Sequence, residues 1–290
     1  MVNAGRVFSL EQAVSYQSDL GTDPLIIDDS NAAQFVERWR DEGRAFGAVP
    51  RDYKVAPFGS ASRPSVDLSM GPILERSQFA DAIKRADEAR TTPDDWRKAM
   101  DVPIQNQGSW GYCWAFGSVT AMTVTYAMTG HVAPNLNPFP LAYRIKGGRN
   151  QGGWAEQAYK GVAEFGVPTH SVWPGNKEGM NQWQWPEVIA SANRHKVTAS
   201  LELPQNNFAA LVTSLTHPKH ARPVTLGLQW WGHLVCAVRA VALPGGGFGI
   251  LIVNSWGEGW GQNGCGVLVE SKSIAFEQIR IERCTPILAA

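Results

Sequence analysis

The feature that most restricts this chain is the run CWAFGSVTAMTVTYAM, Cys113 to Met128, which is apolar on nearly every side. A surface helix carries a single apolar stripe, whereas a segment that is apolar all round has to be covered on all sides. The run follows a turn containing Gly108 and Gly111, so it is read as a helix that starts at Cys113 and lies inside a core. The covering surface comes later, in four strand-like runs: RPVTLGLQW, HLVCAVRAVAL, FGILIVNSW and CGVLVE. A turn of Pro244, Gly245, Gly246 and Gly247 separates the second and third. Another helical pattern, GWAEQAYKGVAEFG, is ended by Gly166 and Pro168. Helices first and strands afterwards predict an α+β protein of two packed halves with a groove between them.

Residues 1 to about 90 differ in texture. Asp29 and Ser30 are placed to cap a helix with Phe35 and Trp39 on one face. A second helix is predicted from Ser77, with Phe79, Ile83 and Ala86 at helical spacing. Between them, VAPFGSASRPSVDLSMGP reads as extended or loop. The expected division is an N-terminal extension over 1–90 and a main domain over 91–290.

Lys+Arg and Asp+Glu balance at 26 each, which gives no reason to expect a nucleic acid or an anionic membrane as partner. The amino terminus shows no basic region followed by an apolar run, and no stretch is apolar enough for a membrane span. A cytoplasmic location is therefore expected. The four cysteines, Cys113, Cys236, Cys265 and Cys284, are too few and scattered for a disulfide scaffold and form no CxxC pair for zinc. Cys236 reads as a buried thiol, and Cys265 with Cys284 remains a candidate pair.

A thiol nucleophile must ionise, and the positive end of a helix favours the thiolate. Cys113 has that placement, and its surroundings add to it. The segment PIQNQGSWGYCWAFGSV resembles the nucleophile region of papain-like cysteine proteases, through Gln107, Gly108, Cys113, Trp114, Ala115 and Phe116. The resemblance implies that the Gln107 side chain and the backbone N–H of Cys113 form an oxyanion hole. WGHLVCAV is similar to the family's histidine segment and implies His233 as proton partner. ILIVNSWGEGWGQNG resembles the Asn-Ser-Trp-Gly segment, which implies that Asn254 orients the histidine and Trp256 shields that bond. In NQGGWAEQA, Gly152 and Gly153 resemble the paired glycines that hold an extended substrate backbone, with Trp154 beside them. TTPDDWRK resembles the start of the mature domain, so the resemblance covers roughly residues 90 to 270.

The chain departs from the family in several places. A cysteine pair common in relatives is replaced by Trp110 and Asn150, and Tyr112 stands where a small residue is usual. RPVTLGLQWWGH runs almost directly into the histidine strand, so no side-chain preference is carried over. Trp230, Trp231 and Trp154 either line an aromatic site or pack in the core.

The resemblance thus implies a papain-like two-lobed fold and a thiol-dependent endopeptidase acting on a peptide or protein substrate, without metal or organic cofactor. Two alternatives stand beside it. One is an assembly component, such as a virion-associated phage structural protein that docks through residues 1–90. The other is a narrow amidase or acyl transferase using the same triad. The first 90 residues either dock or, as in the family's zymogens, occlude the groove in reverse. Occlusion is expected to run through Val55–Pro72, against Gly152, Gly153 and Cys113.

Overall fold

The computed structural model describes residues 24–59, 70–130, 132–244 and 246–286. Strand β1 (Ile26–Ile27) leads into helix α1 (Ala32–Asp41), which buries Val36 and Trp39. Its start differs from expectation. Asn31 is the cap residue, and the Asp28 carboxylate, not that of Asp29, accepts from the Ser30 and Asn31 N–H groups. A short carboxylate reaches most easily the backbone two or three residues ahead of it.

Helix α2 (Phe79–Ala89) turns Phe79, Ala82, Ile83 and Ala86 inward, as its spacing predicts. Helix α3 (Pro93–Ala99) opens on a capping box between Thr92 and Asp95. Helix α4 (Cys113–Ala127) is buried at every position, the outcome required by its all-round apolar character. Helices α5 (Pro138–Ile145), α6 (Ala155–Phe165) and α7 (Pro186–Arg194) follow. Strand β2 (Val197–Glu202) and helix α8 (Phe208–Thr216) precede strands β3 (Val224–Leu228), β4 (His233–Ala242), β5 (Phe248–Val253), β6 (Cys265–Val269) and β7 (Glu277–Cys284).

The strands form one sheet in the order β1-β6-β5-β4-β3-β7-β2, antiparallel except for the β1–β6 pair. Both faces are covered, which explains the near-continuous apolar runs of the central strands. Along β4, Leu234, Cys236 and Val238 join the core around α4, while Val235 and Ala237 join the opposite core, to which α1 and α8 contribute.

The described residues among the first 90 contribute to the same sheet and cores. β1 extends the sheet at β6, and the Trp39 ring stacks on Trp231 with centroids 4.8 Å apart. All four cysteines are free thiols, so the candidate pairing of Cys265 with Cys284 does not form. Among the described residues, no helix is long and apolar enough to cross a membrane.

Candidate active site

Cys113 is the first residue of α4, so its thiol sits at the positive end of a fifteen-residue helix dipole. It is fully buried. Burial pushes the thiol up to about 12, against the pull of the backbone N–H groups of Leu234, Gly47, Trp114 and Cys113 itself. Leu234 follows His233, so the first turn of α4 lies against the start of β4.

The His233 ring is held from one side. Its Nε2 meets Asn254 Oδ1 at 2.7 Å, and the same oxygen accepts from the Ser255 N–H at 2.7 Å. An oxygen that already accepts identifies Nε2 as the protonated nitrogen. The lone pair of the neutral imidazole is therefore on Nδ1, which makes no hydrogen bond among the described residues. Trp256 covers this bond with its ring centroid 4.5 Å from that of His233, and Trp231 lies at 4.9 Å. Burial lowers the His233 pKa from 6.5 to about 4, with Asn254 acting in the opposite sense. In this state thiol and imidazole are both neutral at pH 7.

Gln107 is fully buried, and its amide is oriented from behind. Ser255 Oγ donates to Gln107 Oε1 at 2.5 Å, which turns Nε2 outward. Nε2 donates to the Trp110 carbonyl at 2.7 Å and to the Ala45 carbonyl at 3.2 Å. Sequence reasoning passed over Ser255, although its place beside Asn254 in the Asn-Ser-Trp segment was the available signal.

Ala45 belongs to a segment that fills the groove. The Trp256 indole N–H also reaches the Ala45 carbonyl, at 3.3 Å. Gly153 donates to the Gly47 carbonyl at 2.9 Å and accepts from the Val49 N–H at 2.9 Å. Ala48 is thereby paired with Gly153 as a parallel bridge. On the other wall, the Gly232 carbonyl accepts from the N–H groups of Gly47 at 3.2 Å and Ala48 at 3.0 Å. The fit is close. A Cβ on Gly47 would fall 2.1 Å from the Gly111 carbonyl oxygen, and one on Gly152 would fall 2.7 Å from the Gly47 carbonyl oxygen.

The occupying segment is not the one expected. Ala45–Val49 lies on the paired glycines, while the residues just after Val55 fold back so that the Ala56 and Pro57 carbonyls bind Arg51 and the Gly59 N–H binds Glu202. Residues 60–69 of the expected stretch lie outside the described residues, and at its far end Met70 is buried in the core to which α1 and α8 contribute. A glycine-bearing strand fits a groove this narrow, and a proline-bearing one lacks the N–H groups that the Gly232 and Gly153 carbonyls take up.

The departures from the family pattern also have a structural account. Asn150 Oδ1 accepts from Gly111 N–H at 2.7 Å and its amide donates to the Ser109 carbonyl at 3.2 Å, so hydrogen bonds join the segments where relatives have a disulfide. Trp110 and Tyr112 pack with Phe139. Trp231 is core, stacked between Trp39 and Trp260. Trp230 is half-buried against it, and the Trp154 indole N–H binds the Glu156 carboxylate at 2.8 Å.

The family described as papain family cysteine protease matches residues 92–234. Papain of Carica papaya is 30% identical over 191 residues, covering 59% of this chain and 52% of papain's length. Chymopapain of Carica papaya is 26% identical over 193 residues, covering 59% of this chain and 52% of its own. The bromelain protease from Ananas comosus, solved with the E64 inhibitor, aligns with a TM-score of 0.54 at 19% identity over 65% of this chain and 97% of that one. A structure bearing on the mite allergens Blo t 1 and Der p 1 aligns with a TM-score of 0.61 at 16% identity, over 94% of this chain and 91% of that one.

From residue 92 to 234 the chain is similar to the papain family of cysteine proteases.

It spans about half the length of the curated relatives it matches. This likeness accounts for the α+β architecture and for the order of the cysteine and histidine segments. Ala45–Val49 lies between the wall formed by Gly153 and the wall formed by Gly232.

Proposed function

We propose that this chain is a thiol-dependent endopeptidase kept latent by its own residues 45–49. The observation that carries the reading is the Ala45–Val49 backbone itself. The groove beside Cys113 holds an extended peptide through main-chain hydrogen bonds on both walls, so its natural ligand class is a polypeptide. The parallel pairing with Gly153 supports latency, because a bound peptide of opposite sense would place its carbonyls differently against Gln107.

With the segment displaced, the chemistry follows from the groups present. His233 Nδ1 takes the Cys113 proton as the sulfur attacks the carbonyl carbon of the scissile bond. The charge that develops on the carbonyl oxygen meets the Gln107 Nε2–H and the Cys113 backbone N–H, and losing one such donor typically costs about 2.7–4 kcal/mol. The imidazolium returns its proton to the departing amine, leaving a thioester on Cys113 that water hydrolyses by the same route. Asn254 holds the Nε2–H throughout, so that Nδ1 is the nitrogen that gains and returns the proton.

The test is incubation of the full-length chain, with and without a mild treatment that loosens residues 45–49, with a peptidyl thiol-directed inhibitor and with casein. Mass increase confined to Cys113 and cleavage that rises on loosening are expected. Failure of the opened chain to react at Cys113 would sink the reading and favour an assembly role for the fold.

A further inference from the structure

Two residues beyond Val49, the segment in the groove inserts Arg51 into the protein. Its side chain has no exposure, and it faces two carboxylates, Glu202 at the end of β2 and Glu277 at the start of β7, whose side chains are 3% and 1% exposed. Arg51 Nη1 contacts Glu202 Oε1 and lies 3.2 Å from Glu277 Oε1. Tyr53 lies under the guanidinium, 4.8 Å from its ring centroid.

The pocket adjoins the groove. Glu277 accepts from the Ala155 N–H at 2.6 Å and the Glu156 N–H at 3.1 Å, the first turn of α6, which begins two residues after Gly153. The backbone that holds an extended peptide therefore leads directly to these acids. They belong to the body of the protein, whereas the cation between them comes from the occupying segment.

We propose that Glu202 and Glu277 form a recognition pocket for a basic side chain, arginine foremost, of a substrate lying on the Gly152–Gly153 backbone. The proposal rests on the peptidase reading above, and its physical argument is one of replacement. Two carboxylates this deeply buried are expensive to leave without a cation. Displacement of Ala45–Val49 withdraws Arg51 and leaves the space, the charge and the helix end that positions Glu277. A guanidinium bridges two carboxylates with its planar fork, which the compact ammonium of lysine matches less well. Arg51 is then both the plug that mimics a substrate residue and the pattern for its chemistry.

The experiment uses the full-length chain and peptides that differ at one position only, carrying arginine, lysine, leucine or glutamate. Ratios of kcat/KM cancel the fraction of molecules whose groove is open. About a tenfold or greater preference for arginine over leucine is expected, falling several-fold in Glu277→Gln and in Glu202→Gln. Turnover without a basic preference, or a preference that survives both substitutions, overturns the pocket. A second measurement needs no turnover. In Arg51→Ala, N-acetylarginine amide should raise the unfolding midpoint more than N-acetylleucine amide does, and Glu277→Gln in that background should remove the difference. Equal shifts overturn the proposal. If Arg51→Ala does not fold, Arg51→Met, which keeps the apolar stem, replaces it, and the kcat/KM ratios decide in either case. Absence of turnover with every peptide would count against the peptidase reading alone, since the amide shifts still judge the pocket.

Discussion

The Gly153 N–H donates to the Gly47 carbonyl at 2.9 Å, so a residue from the first fifth of the chain lies beside Cys113 on the backbone proposed above to hold a peptide. Gly47 has no side chain, and a Cβ there would stand 2.1 Å from the Gly111 carbonyl oxygen, a backbone atom that cannot swing aside. Gly47→Ala should therefore push the segment out of the groove. The expected result is faster alkylation of Cys113 by iodoacetamide, read by intact mass, and higher turnover of a small peptide. Unchanged labelling would mean that residues 45–49 do not restrict access.

Cys113→Ala should lower peptide hydrolysis by at least about a thousandfold, the scale on which loss of a nucleophile registers when the rest of the site remains. Cys236→Ala should leave turnover in place and reduce stability by about 1 kcal/mol, since Cys236 is fully buried in β4 and acts there as a small apolar group. Turnover assays beside urea denaturation separate the two effects.

His233→Ala and Asn254→Ala should differ in degree. Removing the proton carrier costs about 10²–10⁴-fold. Removing Asn254 leaves the carrier present but frees its Nε2, held at 2.7 Å in the native site, so the loss should be smaller. A larger loss for Asn254→Ala, at matched thermal stability, would contradict the role given to it.

The pH dependence follows from burial. His233 has its pKa lowered from 6.5 to about 4 in the closed state. A depressed histidine contributes stability that is present above 6.5 and is lost as pH falls towards 4, because the opened or unfolded chain binds a proton that the closed one refuses. Acidification through that window should promote opening, seen as a lower thermal midpoint. For Cys113, raised to about 12, the thiolate is scarce in the closed state at neutral pH. Its alkylation should climb steeply towards alkaline pH, with an earlier onset in Gly47→Ala.

Trp39 stacks on Trp231 at 4.8 Å and meets Trp256 at 5.4 Å, so α1 buttresses the rings that cover His233. Trp39→Ala should destabilise the protein by about 3–5 kcal/mol. Deleting residues 1–88 would remove this support along with the groove segment, so loss of the folded state is expected in place of simple activation. A cooperative melt at the wild-type midpoint after that deletion would show that α1 is dispensable.

Much of the site was legible in the sequence because its chemistry is local. Cys113 at the start of an all-apolar helix, His233 at the head of an apolar strand and Asn254 in its Gly/Trp-rich segment each carry their signal within a few residues. The same holds for α2, α4 and β3 to β6, whose periodicity or continuous apolarity states how they are covered. β1, with two residues, has no pattern to read. β2 and β7 have no clear strand pattern because VTASLE and EQIRIERC mix charges with apolar residues: Glu202 and Glu277 pair with Arg51 far along the chain, and Arg280 pairs with Glu282 within β7.

What only the tertiary structure decided is which distant residues share one space. A local pattern reports whether a segment is covered, since burial acts on each residue's own surface. It does not report by what, because the partner is chosen by shape and charge after the chain has folded back on itself. For that reason the sequence by itself determined the α+β class, the all-apolar helix that starts at Cys113 and the segments around His233 and Asn254. The tertiary structure alone placed Ala45–Val49 in the groove ahead of the proline-bearing stretch, where a backbone without side-chain bulk passes Gly111 and retains its N–H groups. It also carried Arg51 between Glu202 and Glu277, which lie more than 150 positions away, because two buried carboxylates require a buried cation.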